Sequence, residues 1–596
     1  MRRFFIKDQF YKKLRQKEDA GPIKKEIVDD FVLYDQEGRF QELYYYSDKK
    51  AVAIISQGNG CPIIRKSVPY LNQLKEKYRN RGIVFLMINA NPQDDRYSMA
   101  EEAAAFSISL PILEDKAQAI SKSLNIHRTA EAILIDTSDW SIIYHGAIND
   151  GLESDSERME IKHHYLEDAI EAFLSGRPAL NEKTVVKGCL INIENNSQSA
   201  KYEYTKNVAP ILKKNCVVCH SRGGIAPWSM ENYQTVKGWG PMIREVVRTK
   251  RMPPWHADPY YGEFEGDSTL STEEEKVLLN WSEQNYARGE GVDPLAELGQ
   301  TKKGSWILGE PDLIFRVNSP QTIPATGADE FRFIEMDRLV ENDIWVRAID
   351  IVPGNRKVVH HGNLAVEWAT EDGAQNESLD PASEDGDGEK TYLREGLNME
   401  KGSVISGYSP GTGPLVMPED TGIFIPKGSK LVFRVHYITT GKQETDVTQV
   451  GIYLHKNKPA KILSVATMNN RDIRIRAGDQ NYKRSAEYKF ENDVTLVALQ
   501  PHMHYRGKSM RFTIEYPDGT SEAALSVPNY RFHWQRRYVF KEPKTIPKGT
   551  AIYLEGYYDN SLQNPDNPDP RQEVVYGPYS YTEMFQGILF YINKQD

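Results

Sequence analysis

Leu499-Gln500-Pro501-His502-Met503-His504-Tyr505 follows Val494, Leu496 and Val497, and the run reads as a β-strand. In a strand, residues i and i+2 point to the same face. His502 and His504 are thereby set to offer two imidazoles to one metal ion. An isolated His-x-His is more often a surface pair or a hydrogen-bonded core pair. What shifts the reading here is the rest of the chain.

The surrounding sequence is β-rich. After Gly304, short runs of Val, Ile, Phe and Tyr alternate with Gly/Pro turns to the end of the chain. They include 313–317, 345–351, 423–425, 430–438, 448–454, 495–498, 510–516 and 551–558. Such spacing predicts β-sandwich or jelly-roll domains. The stretch is long enough for two in tandem, 305–458 and 459–596, divided near 455–470. The acidic run around 371–390 is expected to be a solvated insertion loop.

Histidines fall at strand ends throughout this region: His360 and His361 in Val358-Val359-His360-His361-Gly362, and His436 in Val435-His436-Tyr437. Near the C-terminus comes Thr582-Glu583-Met584-Phe585. His455 and His533 are read as ordinary residues. Three histidines in the first half, with two and a methionine in the second, form a ligand inventory for copper. Imidazole suits Cu(II), and thioether suits Cu(I).

The order His-His, Val-His-Tyr, His-x-His, Glu-Met resembles the copper type II, ascorbate-dependent monooxygenases, the peptidylglycine α-hydroxylating and dopamine β-monooxygenase family. The resemblance covers about 305–596. It implies that His360, His361 and His436 hold an electron-transfer copper. It implies that His502, His504 and Met584 hold the copper that meets O2, on a second jelly-roll domain. The implied reaction hydroxylates a substrate C–H bond. The chain departs from the peptide-amidating pattern at Gln500, where that enzyme has an Arg, and at Gln586 and Ile588, where it has Asn and Tyr. A peptidylglycine substrate is therefore not expected. The family's disulfides in the copper domains are absent too.

Cys216-Val217-Val218-Cys219-His220 is a c-type haem attachment motif. The two thiols would bind the haem vinyl groups, and His220 would be an axial iron ligand. No second cysteine pair exists to complete a zinc site. Met252, in Met252-Pro253-Pro254-Trp255, is the expected sixth ligand; Met230 and Met242 are alternatives read as packing residues. A His/Met pair suits electron transfer. An amphipathic helix over 204–212 precedes the motif, and Ser271-Thr272-Glu273-Glu274-Glu275 is a capping box for a helix ending near Gly289. The span resembles an all-α cytochrome c domain, placed at 200–295 and preceded by a linker over 193–200.

Farther upstream, the strand 51–55, a helix opened by Cys61-Pro62, the strand 83–88 and the strands 132–135 and 142–144 predict an α/β domain at 25–192. A Cys-Pro at a helix start after a strand resembles the thioredoxin and alkyl-hydroperoxide-reductase-like fold over about 25–175. Ile64 stands where a thioredoxin site has its second cysteine, Gly58 where the peroxidatic type has Thr, and Ala130 where a proline follows Thr129. Cys61 gains thiolate character from the helix N-terminus. Cys189 is expected to meet it through space, as a disulfide stapling the domain's tail or else as a free thiol. A docking or structural role is expected of this domain rather than reductase activity.

The chain has 596 residues, net charge −10 and a pI near 5.8, which excludes a basic nucleic-acid footprint. No apolar run is long enough to cross a membrane as a helix. The haem motif points to a bacterial periplasm or cell exterior, although no export signal is visible at Met1. The expected function is a two-copper, one-haem monooxygenase acting on a small organic molecule with O2, its haem fed by an external electron donor. The alternative is a non-catalytic haem/copper redox or copper-handling protein. A reductase of small oxyanions would want a copper-ligating cysteine, and none lies beyond Cys219.

Overall fold

The computed structural model describes residues 26–593, apart from 152–160, 178–183, 185, 194–201, 223, 225, 297–305, 328–329, 368–391, 395–396, 400–403, 411–412 and 578. The expected insertion loop at 371–390 and nearly all of the linker at 193–200 lie outside the described residues. The chain packs as two units. One comprises 1–209, 237–254 and 270–292; the other comprises 210–236, 255–269 and 293–596.

The first unit holds a five-stranded sheet. Its strands are β1 (Ala51–Gln57), β2 (Ile83–Asn89), β3 (Ile112–Glu114), β4 (Glu131–Asp136) and β5 (Ile142–Ala147), in the order β3-β2-β1-β4-β5. β1 and β2 run parallel, as do β2 and β3, whereas β4 and β5 are antiparallel additions. Alternate residues of β1 enter two cores: Ala51, Ala53 and Ile55 in one, Val52 and Ile54 in the other. Both faces are therefore covered, which is why β1 and β2 read as unbroken apolar runs. Helix α1 (Pro62–Tyr78) starts with Pro62, whose fixed φ suits a first helical position. Its Ile64, Val68, Leu71 and Leu74 recur at helical spacing and are buried against the sheet. Helices α2 (Arg96–Ala105) and α3 (Tyr165–Leu174) complete this thioredoxin-like α/β domain.

Helix α4 (Ala209–Asn215) leads to the Cys216 motif, after a π-helical turn over Tyr204–Val208. Helices α5 (Gly240–Arg248) and α6 (Thr272–Glu283) belong to the first unit. The capping box forms as expected: Glu274 N–H donates to Ser271 Oγ at 3.2 Å, and Ser271 N–H donates to Glu274 Oε2 at 2.9 Å. The helix ends at Glu283, earlier than expected, because Asn285 and Tyr286 take left-handed φ of 54° and 58°. Val277, Leu278, Leu279 and Trp281 are its buried residues.

The C-terminal region is β-rich. Its strands are β6 (Leu313–Arg316), β7 (Glu330–Glu335), β8 (Ile344–Val352), β9 (Val359–Glu367), β10 (Val404–Tyr408), β11 (Leu415–Val416), β12 (Thr421–Ile425), β13 (Lys430–Tyr437) and β14 (Gln449–Leu454). They continue as β15 (Lys461–Asn469), β16 (Tyr482–Lys489), β17 (Val494–His502), β18 (Gly507–Glu515), β19 (Ser521–Val527), β20 (Tyr538–Ile546), β21 (Ala551–Tyr558) and β22 (Gln586–Asn593). Two four-stranded sheets form, β7-β13-β9-β10 and β16-β21-β18-β19. A long sheet runs β20-β17-β22-β15-β12-β8-β14-β6, with β11 beside β8. Its two halves join through the parallel pair β12–β15, where Thr421 meets Lys461. The expected division near 455–470 thus falls where the hydrogen-bonded sheet continues. The first core accordingly includes Val497, Ile588 and Phe590 from the second half beside Ile349, Ile423 and Phe433 from the first. Ala257 and Phe264 enter the second core.

Candidate functional site

His360 and His361 are neighbours on β9, and neighbours in a regular strand face opposite ways. The register between β9 and β13 shifts between Val359 and His361, a bulge centred on His360. A bulge re-aims a side chain, and here it turns both rings to one side. Their Nδ1 atoms lie 3.2 Å apart. His436 sits directly across from His361 in the β9–β13 pairing. One nitrogen from each of the three histidines falls within 4.8 Å of the others, and all three residues are buried. The three rings lie 4.9–5.5 Å apart between centroids.

The chemistry of this cluster is that of a cation site. His361 Nε2 is buried without a hydrogen-bond partner. Burial, followed by the nearby His436, His360, His533 and His502, holds the His361 imidazole well below its usual range. It is therefore neutral and ligand-competent at neutral pH. A separation of 3.2 Å between two nitrogens is also what two ligands about 2 Å from a shared ion would show.

His502 ends β17 and His504 follows it, with ring centroids 5.2 Å apart. Each is fixed through Nδ1. His502 Nδ1–H donates to Gln535 Oε1 at 2.6 Å, and His504 Nδ1–H donates to the Thr582 carbonyl at 3.1 Å. Such bonds set the tautomer and leave Nε2 for an ion. Burial pushes both imidazoles down, His504 to about 3, with His502 adding to the effect.

β17 pairs with β22 so that His502 faces Gln586. The ladder ends at that pair, and Met584 lies two residues before Gln586, outside it. The segment is tied there: His504 N–H and Arg506 N–H donate to the Glu583 carboxylate oxygens at 2.9 and 2.7 Å. Tyr558 Oη–H donates to the Met584 carbonyl at 2.7 Å. Burial pushes the Glu583 carboxyl up to about 8, against the N–H bonds that favour its charged form.

One short turn, Phe532–Trp534, touches both histidine sets. The Phe532 ring lies 5.9 Å from His361, 5.7 Å from His436 and 5.7 Å from His504. Gln535 follows and holds His502. Sequence reasoning missed this turn and treated His533 as ordinary. An aromatic-His-aromatic-Gln string, Phe532-His533-Trp534-Gln535, was the available signal.

In the Cys216 motif, Cys219 N–H and His220 N–H donate to the Cys216 carbonyl at 3.1 and 3.0 Å, a turn that gathers both thiols. Neither cysteine is in a disulfide bond. His220 Nδ1–H donates to the Trp228 carbonyl at 3.1 Å, which leaves Nε2 for an axial bond. Burial pushes this imidazole down, keeping it neutral. Met252 belongs to the first unit and precedes a cis peptide bond to Pro253; the Cys216 motif belongs to the second.

Cys61 caps α1, and its partner in space is Cys189, as expected. Cys189 Sγ–H donates to Cys61 Sγ at 3.0 Å, with no disulfide bond joining the pair in this structure. Thr129 Oγ1 accepts Cys189 N–H at 2.9 Å and lies 3.0 Å from Cys61 Sγ. Burial pushes the Cys61 thiol up, but bonds from Cys189, Thr129 and Ile64 outweigh it, and the net shift is downward. Burial and the Cys61 charge push Cys189 up. Cys61 is the more acidic thiol of the pair. Gly188 is required beside them, because a Cβ there would meet the Thr129 carbonyl oxygen at 1.7 Å.

Comparison with known proteins bears on this first domain. Residues 23–158 match the Redoxin family. The thiol-disulfide oxidoreductase ResA of Geobacillus kaustophilus is 28% identical over 107 residues, 18% of this chain and 60% of that one. ResA of Bacillus thuringiensis subsp. konkukian is 28% identical over 120 residues, 20% of this chain and 67% of that one. The chain thus spans about 60% of the length of the first of these relatives. Among solved structures, the thioredoxin domain of a thiol-disulfide oxidoreductase from Bacteroides vulgatus is 16% identical, covering 21% of this chain and 89% of that one, with a TM-score of 0.19. The N-terminal domain is thioredoxin-like. Among the described residues, no helix is long and apolar enough to cross a membrane.

Proposed function

We propose that this chain is a copper-dependent monooxygenase that hydroxylates a C–H bond of a small organic substrate with O2, and that a c-type haem on the same chain supplies its electrons. The overall reaction consumes O2, two electrons and two protons, and yields the alcohol and water. The observation that carries this reading is the bulge at His360, which gathers His360, His361 and His436 into one buried donor set. Three imidazoles suit copper. Bound copper would supply one-electron chemistry toward O2 and the substrate C–H bond.

The chain's own residues prepare the rest. Gln535 and the Thr582 carbonyl orient His502 and His504 through Nδ1. Met584 would be the third, softer donor of that set, next in sequence to Glu583, which accepts from the His504 and Arg506 amides. Glu583 retains its carboxyl proton near neutral pH, and Phe532 fills space beside His504 that water would otherwise take. Cys216, Cys219 and His220 would hold the haem.

In this reading 25–192 is the thioredoxin-like domain, 200–295 a cytochrome c domain, and 305–458 and 459–596 the two jelly-roll copper domains. The first carries a Cys61/Cys189 dithiol–disulfide couple. Haem attachment points to the periplasm or cell exterior, and a donor external to the chain reduces the haem. The rival reading, a copper-handling protein without catalysis, is disfavoured because storage does not need two unlike donor sets.

The relay is tested by mixing pre-reduced, copper-loaded protein with O2 in a stopped-flow instrument. Haem reoxidation should be fast, and His361→Ala should slow it at least about tenfold. Equal rates with and without copper would refute the relay.

A further inference from the structure

We infer that His533 supplies a fourth nitrogen to the ion held by His360, His361 and His436 when that ion is oxidised. The inference rests on the copper reading above and adds to the three ligands that reading assigns.

His533 is set among the three like one of them. Its ring centroid lies 5.5 Å from His360 and perpendicular to it, and 5.8 Å from His436 in a stacked arrangement. The three ligand rings are separated by 4.9–5.5 Å. Its nitrogens fall outside the tight group that the other three form, so it occupies an outer position beside them.

The turn that carries His533 is clamped on every side. Trp534 N–H donates to the Arg531 carbonyl at 2.9 Å, and the Trp534 ring packs 5.2 Å from His360. Phe532 is buried against His361 and His436. Gln535 is bound to His502, and Arg531 pairs with Asp566 at 3.0 Å. The backbone of His533 is therefore fixed next to the cluster, and only its χ angles remain to bring the ring in. The His361 imidazole is lowered by His533 among its neighbours, consistent with that proximity.

The chemistry explains the use. Cu(II) prefers a tetragonal set of nitrogen or oxygen donors, whereas Cu(I) accepts fewer and softer ones. Three histidines satisfy the reduced ion. The oxidised ion gains a fourth donor from His533, and on reduction that bond opens with its electron pair remaining on the imidazole.

The test uses the full-length, haem-loaded chain carrying His504→Ala, so that copper occupies the first set alone. Copper X-ray absorption should count four imidazoles in the Cu(II) state. His533→Ala should reduce the count to three and weaken Cu(II) binding by about tenfold or more, with Cu(I) binding within about twofold. Added millimolar imidazole should restore the original Cu(II) EPR spectrum, which a merely structural role would not produce. If His533→Ala loses its fold, judged by circular dichroism, His533→Gln is read in its place. An unchanged count, spectrum and Cu(II) affinity would overturn the inference while leaving the copper reading intact. Absence of bound copper with His533 present would overturn both.

Discussion

His360 shows how one irregular residue makes a site. Two adjacent histidines on a regular strand would diverge, and the shift between Val359 and His361 makes them converge. Nothing in the sequence announces that bulge. The i, i+2 spacing of His502 and His504 was legible because strand periodicity alone produces it. Their anchoring was not, since Gln535 lies 33 positions away from His502. Gln535→Leu should leave His502 without its Nδ1 acceptor and weaken copper binding at that set by about 10–100-fold. Competition titration with a Cu(I) chelator measures this. A second residue-scale prediction concerns Cys61. Thr129 lowers its thiol by bonding the thiolate. Thr129→Val should therefore move the pH midpoint of Cys61 alkylation upward in reduced protein. An unmoved midpoint would assign the shift to Cys189 alone. Mapping of air-oxidised protein under non-reducing conditions should recover a Cys61–Cys189 linked peptide.

At the scale of elements, most of the strands that were expected match to within a residue or two, but others, among them Glu330–Glu335, Tyr482–Lys489 and Gln586–Asn593, were not expected. Lys430–Tyr437, Gln449–Leu454 and Ala551–Tyr558 match the expected runs closely. Alternating burial writes such strands into the sequence. Partner strands were not legible, because pairing is non-local: the β12–β15 link that makes one long sheet joins Thr421 to Lys461 through a two-residue ladder. The helix at Thr272–Glu283 was predicted from its cap, and the cap is testable. Ser271→Ala removes an acceptor for the Glu274 amide and should cost about 1 kcal/mol in chemical denaturation. Its end was misplaced because left-handed φ at Asn285 and Tyr286, neither a glycine, gives no compositional warning.

At the scale of the whole molecule, the chain's division is discontinuous: 237–254 and 270–292 go with the thioredoxin-like domain, while 255–269 goes with the β-rich region. A reading in linear blocks has no means of seeing such interleaving. His256 lies within that last segment and is buried. Burial, with Arg531 and Arg536 nearby, pushes its imidazole down to about 3. It is neutral in the fold and takes a proton in the unfolded chain below about pH 6.5. Stability from this group is complete above that pH and is lost as pH falls toward 3, at up to about 1.4 kcal/mol per pH unit. His256→Gln should flatten the acid limb of unfolding free energy against pH by about one proton; an unchanged limb would mean that His256 is not the group that titrates. The central claim, that one chain carries two unlike copper centres and one haem, is tested most directly by the metal and haem content of matured protein. Elemental analysis with visible spectroscopy should give two coppers and one haem per chain, with one copper weakened in Met584→Ala. Haem-loaded protein holding one copper or none would contradict the account.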